Sequence, residues 1–448
     1  MDKYTATFLL AGIATGVFAA VPSIQKDSVV MDQNPRNRRV TINYTLEDAA
    51  AIVTVDVRTN GVSIGGGNLR YFAGDVNKVV EPGERTMTWL PDKAWEGHKI
   101  DSGVTAVVTA WATNTPPDYM VVSLVTPKDI RYYTCAESLP HDVTNDLYKT
   151  EELVMRKIPA GNVRWLMGSP TTALGYPTTE LGRGNDEIPH LVTLPFDYYM
   201  GVFPVTQRQY ELVMMRKPSA TATEKRPSQF RLESDYATRP VDNVSWEILR
   251  GAGDDYNWPA KSHAVKSDGF IGLLRNHSGL DGFDLPTAAQ WEFACRAGTG
   301  SAVYNGEEIT NNIASVNLDS IGRYAANGGR LDDGTFPNSV TAPTTTAEHG
   351  SAKAGTFPAN PWGLYDMLGN MMEWCLDWYN AYTVAGYDPE TGPSSSSASP
   401  AKREMRGGNW STNAQTLRSA YRFSFDPAGA SSGFTFRLAC AVPGTLSE

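Results

Sequence analysis

The chain has 448 residues, with 39 Lys and Arg against 49 Asp and Glu, for a formal net charge of −10. That length exceeds one average domain, and an acidic chain without basic clusters excludes nucleic acid as an expected partner. Its 41% hydrophobic content is ordinary for a soluble globular protein, while 40 Gly, 28 Pro and 11 Trp point to much irregular chain anchored by rings.

In chain order, Lys3 and the apolar run Phe8 to Ala20 read as an export signal over residues 1–19, with small residues placed for cleavage after Ala19. The run is short for a membrane span, and no later segment is apolar enough. After cleavage the protein is therefore expected to be secreted, periplasmic or at the cell surface, without a span. Residues 21–130 carry short β-branched runs at Arg39–Leu46, Ala51–Arg58, Thr105–Ala112 and Met120–Val125, with turns at Asn60-Gly61 and Glu81-Pro82-Gly83. This spacing predicts a small all-β immunoglobulin-like sandwich. It holds no catalytic constellation and reads as a spacer or adhesion module.

Residues 131–152 are polar and read as a linker. From 153 to 448 the texture shifts to Pro, Gly, Trp and Tyr. Helical periodicity stands out at Thr206–Met215 and Thr287–Arg296, each opened by a capping threonine. The fold class expected for this part is α+β. Ser394–Pro400 reads as an exposed low-complexity loop.

Two local readings of Asn360–Tyr379 stand. Its Trp and Tyr rings, mixed with Gly, Asn, Asp and Glu, suit a Trp-rich core whose polar side chains satisfy a buried loop. They also suit a hard-cation site of carboxylate, amide and backbone oxygens. Cys135, Cys295, Cys375 and Cys440 have no zinc spacing. In an oxidising compartment they allow more than one pairing, and spacing does not choose. The six His are scattered, none at the spacing of a helical metal pair.

Ordered motifs then converge: Ile158-Pro-Ala-Gly161, Met167–Pro170, Glu187–His190, Tyr199–Thr206, Arg239–Val241 with Asn243–Trp246, Phe283–Arg296, Asn360–Tyr379, Arg406–Trp410, Arg418–Arg422 and Phe436–Ala439. Over about 153–442 the chain resembles the sulfatase-modifying-factor, or formylglycine-generating-enzyme, family. The resemblance implies an irregular α+β fold related to C-type lectins. In the enzymes, two cysteines after the Gly-Gly-Ser-Trp run bind copper(I), which prefers soft thiolates, and oxidise a substrate cysteine with O₂. Here those positions hold Thr412 and Leu417, and no cysteine lies between Cys375 and Cys440. Copper is not expected. The HxxxHxE iron motif of a second enzymatic branch is absent.

The resemblance also implies calcium on Asn370 and Glu373 side chains with the Met371 carbonyl. A second site at Asn317 and Asp319 falls in a loop that departs from the family pattern. In some members a cysteine at the Cys295 position pairs with one beside the C-terminal Phe-Arg, which makes Cys295–Cys440 a candidate bridge. The face that holds substrate in the enzymes corresponds to Asn409–Ser432. There Asn409, Ser411, Thr412, Asn413, Gln415, Thr416, Phe423, Phe425 and Asp426 are candidate ligand contacts between the anchors Trp410, Arg418, Tyr421, Arg422 and Arg437. No His in this stretch serves as a base. The pattern is similar to the variable ligand-binding proteins of diversity-generating retroelements; the bland reading is a solvated loop that binds nothing. The expected function is a secreted or surface binding protein for a protein, peptide or glycan. The alternative is a formylglycine-generating oxidase, or a related modifying enzyme, working through other residues.

Overall fold

The computed structural model describes residues 20–98, 100, 103–231, 234–251, 265–327, 350–380, 382 and 401–443. The expected signal segment 1–19 and the loop Ser394–Pro400 lie outside the described residues.

The N-terminal body is a two-sheet sandwich. One sheet has the order β1 (Ser23–Ile24), β3 (Val40–Glu47), β8 (Gly83–Trp89), β6 (Phe72–Gly74), with β2 (Val30–Gln33) also on β3. The other centres on β4 (Ala51–Thr59), which pairs with β5 (Val62–Ser63), β7 (Val79–Val80) and β9 (Val104–Trp111). Period-two alternation builds it: Val40, Ile42, Tyr44 and Leu46 of β3 all turn inward to meet Val53, Val57, Met87 and Trp89. Buried Trp89 keeps its indole N–H satisfied on the Arg70 carbonyl at 3.0 Å.

The second body is α+β, as expected. A six-stranded antiparallel sheet runs β11 (Ile130–Tyr133), β10 (Tyr119–Ser123), β12 (Glu152–Ile158), β15 (Tyr198–Gly201), β21 (Ala439–Ala441), β16 (Phe283–Asp284). Beside it stand the hairpin β13 (Val163–Met167) and β14 (His190–Leu194), and a four-stranded sheet β19 (Phe423–Phe425), β18 (Arg403–Arg406), β17 (Met372–Trp378), β20 (Phe434–Phe436). Helices α1 (Gln207–Met214) and α5 (Ala288–Arg296) begin where the threonines predict, each with a reciprocal capping box, Thr206 with Gln209 and Thr287 with Gln290. Four further helices, α2 (Ala222–Lys225), α3 (Trp246–Arg250), α4 (Phe270–Ser278) and α6 (Val316–Asp319), carry weaker signals. In α4 a glycine stands at the cap without a side-chain bond and another lies inside the helix.

Three expectations are corrected. The run Met120–Val125 belongs to the second body, because β10 pairs with both β11 and β12. Its unbroken burial from Tyr119 to Ser123 is that of a strand covered on both faces, not of an alternating sandwich strand. Residues 131–152 are not a linker: β11 lies there, and Leu139 and Tyr148 are buried in a cluster with Val202 and Phe203. Finally, all four cysteines are free. Cys295 Sγ faces the Ser419 hydroxyl at 3.7 Å and Cys440 Sγ faces the Ala441 carbonyl at 3.5 Å, so no Cys295–Cys440 bridge forms. Among the described residues no helix is long and apolar enough to cross a membrane.

Candidate functional site

The candidate face is held by buried ion pairs on the four-stranded sheet. Strand β17 is buried from Met372 to Asp377, so its polar side chains need partners inside the protein. Glu373 accepts from Arg437 Nη2 at 2.8 Å and Nε at 3.1 Å, and from the Trp291 indole of α5 at 2.7 Å. Arg437 also donates to the Gly201, Val202 and Tyr365 carbonyls, which ties the sheet to β15. On β18, Glu404 receives Arg406 at 2.8 Å and Arg422 at 2.6 Å. Burial opposes its charge, yet Arg422 and Arg406 hold the carboxyl below the usual range. Arg418 is clasped by Glu187 and Glu180, at 2.7 and 2.5 Å.

Between these anchors the loop after β18 folds on itself. Gly407 and Gly408 take positive φ of 95° and 68°. The Trp410 N–H donates to the Asn370 carbonyl at 2.9 Å, and its indole donates to the Ser432 carbonyl at 3.2 Å. The Asn409 amide oxygen accepts from the Ser411 N–H and hydroxyl. The Thr412 hydroxyl accepts the Asn409 N–H at 3.0 Å and lies within hydrogen-bond distance of the Thr416 hydroxyl at 2.7 Å. Leu417 is fully buried, with its methyls against Gly322, Gly369 and Gly408, where any Cβ would come within 3.3 Å.

The structure therefore divides the candidate contacts into two groups. Asn409, Ser411, Thr412, Asn413, Gln415 and Thr416 form one loop tied by internal hydrogen bonds, in which Asn413 is exposed and Ser411, Thr412 and Gln415 are half-buried. Phe423, Phe425 and Asp426 sit on the other side of the buried segment Arg418–Ala420. The rings of Phe423 and Phe425 stack at 6.4 Å, both half-buried, and Asp426 is exposed, capping the Ala428 N–H. Asn409, Trp410 and Thr416 are nearly buried and serve the frame.

The calcium residues do not fit the cation. Calcium takes six to eight oxygens, but the Glu373 carboxylate is already neutralised by Arg437. The Asn370 side chain closes a two-way pair with the Ala352 backbone, at 2.8 and 3.2 Å. Upstream, the Asn317 amide donates to the Glu308 carbonyl and Asp319 accepts from Tyr324, so these two do not converge. Among the described residues there is no group of three or more His, Cys, Asp or Glu that could hold a metal.

Nor is there a reactive thiol on the face. Burial pushes Cys295 and Cys440 up to about 12 and Cys375 well above the ordinary range, so all three are neutral thiols. The sequence reading named the arginine anchors but missed Glu180, Glu187, Glu292 and Glu404 that hold them.

A family model described as the sulfatase-modifying factor enzyme 1-like domain matches residues 147–442. The serine/threonine-protein kinase pkn1 of Chlamydia pneumoniae is 29% identical over 276 residues, which cover 57% of this chain and 35% of that protein. The formylglycine-generating enzyme of Mus musculus is 26% identical over 283 residues, covering 57% of this chain and 69% of that protein. The chain thus spans about a third of the length of the kinase-named relatives it matches. Among solved structures, Treponema denticola variable protein 1 is similar with 23% identity and a TM-score of 0.42, over 65% of this chain and 95% of that one.

Proposed function

The chain belongs to the sulfatase-modifying factor enzyme 1-like family, and we propose that it is a ligand-binding member without the oxidase site, exported to the periplasm, the cell surface or the medium. One observation carries this reading. By the resemblance, the copper-binding cysteines of the family's oxidases correspond to Thr412, engaged by Asn409 and Thr416, and to Leu417, buried in its glycine socket. Copper(I) needs soft thiolates, and the remaining buried thiols are neutral and lie in packed core. Export rests on the apolar run Phe8–Ala20.

The frame supports binding in a second way. Arg406, Arg418, Arg422 and Arg437 are fixed by buried carboxylates, while Asn413, Gln415, Phe423, Phe425 and Asp426 are presented between them. A surface of polar and aromatic side chains on a rigid scaffold suits a protein, peptide or glycan ligand. Calcium has no part in this proposal.

The test is oxygen uptake with copper and a peptide carrying Cys-x-Pro-x-Arg. We expect none above buffer. Uptake that disappears in Thr412→Ala or Cys375→Ala would establish the enzyme reading instead. In parallel, the triple variant Asn413→Ala, Gln415→Ala, Asp426→Ala should lose capture on glycan and peptide arrays with an unchanged melting temperature. Full retention of capture would place binding elsewhere.

A further inference from the structure

We propose that the open edge of β9 in the N-terminal sandwich is a docking site for an extended polypeptide segment, apolar at alternate positions and acidic at its C-terminal end. Backbone parity shows that the edge is open. On β4, Val53 bonds to Lys78 and Asn77 and Val57 bonds to Ile64, so these residues point toward β5 and β7. Ile52, Thr54, Asp56 and Arg58 therefore point toward β9, opposite Trp111, Thr109, Val107 and Thr105. The N–H and C=O groups of Val104, Ala106, Val108 and Ala110 face the other way, and none has a hydrogen-bond partner among the described residues. Among the described residues only β4 pairs with β9, and the strands β1, β2 and β3 of the facing sheet approach it without joining its ladder.

The side chains agree. The inward face of β9 is sealed at Val104 and Val108, 7% and 8% exposed, but left half-covered at Ala106 and Ala110. Across the seam Val29, Met31 and Ile100 are half-buried too, around a groove of about 580 Å³. Eight residues of strand make an edge about 26 Å long. None of them is charged and none is Pro, so the devices that normally guard a free edge are missing.

Three features choose the occupant. Alternating backbone donors and acceptors at strand spacing are matched by polypeptide and by no other ligand class. A second folded copy would pair flat against the edge, whereas one extended segment also places alternate side chains into the groove. Arg36 and Arg39 are exposed beside groove-lining Pro35, while Arg38 between them is paired with Asp92. They outnumber Asp32 on the same lip. Pro35 and Val104 line one end of the groove, where an antiparallel strand would place its C-terminus.

The test uses the full chain and a peptide of alternating valine and threonine ending in two glutamates, against one ending in two lysines. Amide hydrogen exchange by fragmentation mass spectrometry should show Ala106, Val108 and Ala110 exchanging at least about 100-fold faster than Thr105, Val107 and Thr109 in the free protein. The glutamate peptide should slow them at least about tenfold and bind about threefold tighter than the lysine peptide at low salt. Ala106→Pro removes an open donor but no ladder bond. It should keep the melting temperature and lose the peptide's protection. Ala110→Pro serves if the first variant fails to fold. Slow exchange of the three amides in the free monomer, or no response to either peptide, overturns the proposal. Protection that rises with protein concentration alone also overturns it, by giving the edge to a second copy.

Discussion

Asp377 concentrates the electrostatic tension of the second body. It is fully buried on β17, accepts the Ala288 N–H at the start of α5 at 2.7 Å, and leaves its other oxygen without a protein partner. Burial, and then Glu404, push its carboxyl up to about 7. Burial does the same to Asp242, to about 7, and to Asp366, to about 6. The sign follows. In the unfolded chain a carboxyl ionises near pH 4, so between about 4 and 7 the folded state keeps a proton that the unfolded state has released. These groups therefore favour folding at low pH, and that contribution is lost as pH rises through the folded values. Asp377→Asn keeps an oxygen for Ala288 and cannot ionise. Urea midpoints between pH 5 and 8 should fall less steeply in the variant than in the parent. Equal slopes would mean that Asp377 does not titrate in that window.

The loop between β18 and β19 shows how glycines convert a sequence into a socket. Gly408 has φ of 68°, and a Cβ there would lie 2.8 Å from both the Leu417 methyl and the Thr416 carbonyl. Gly408→Ala combines a strained backbone with overpacking and should cost about 2–4 kcal/mol in urea unfolding. Thr412→Ala, which removes only a half-exposed hydroxyl, should cost about 1 kcal/mol. A cost below about 1 kcal/mol for Gly408→Ala would show that the loop relaxes and that Leu417 is not held by it. Legibility varied with how local each signal was. Helices α1 and α5 were readable because cap, capping box and apolar stripe lie within a few residues. The Glu373 environment was not, since its partners Arg437 and Trp291 come from distant parts of the chain; the motif alone favoured a satisfied core, and only the family resemblance brought a cation site level with it. Strand β10 was visible as an apolar run interrupted at Ser123, but the run could not say which body covered it.

At the scale of the whole molecule, that misplaced strand decides where the chain divides. Met120 and Val122 of β10, Leu124 and Tyr132 are buried in the main core of the second body. Tyr199 donates to the Pro117 carbonyl at 2.5 Å, and Lys157 to that of Pro116. The sandwich then leans on this sheet: the Tyr132 N–H donates to the Asn77 carbonyl at 2.7 Å, and Ile52 of β4 packs into the same core. Burial of those four side chains is worth about 1.5–3 kcal/mol each, a sum comparable to the roughly 5–15 kcal/mol by which a domain is stable. A fragment beginning at residue 153, the boundary suggested by composition, should therefore lack a cooperative unfolding transition. A fragment beginning at residue 113 keeps β10 and β11 and should fold, with a lowered midpoint because Ile130 and Tyr132 lose their cover. Circular dichroism melts of the two fragments check this. If the shorter fragment melts cooperatively near the intact protein, β10 and β11 belong energetically to the sandwich, and the division at 130 is restored.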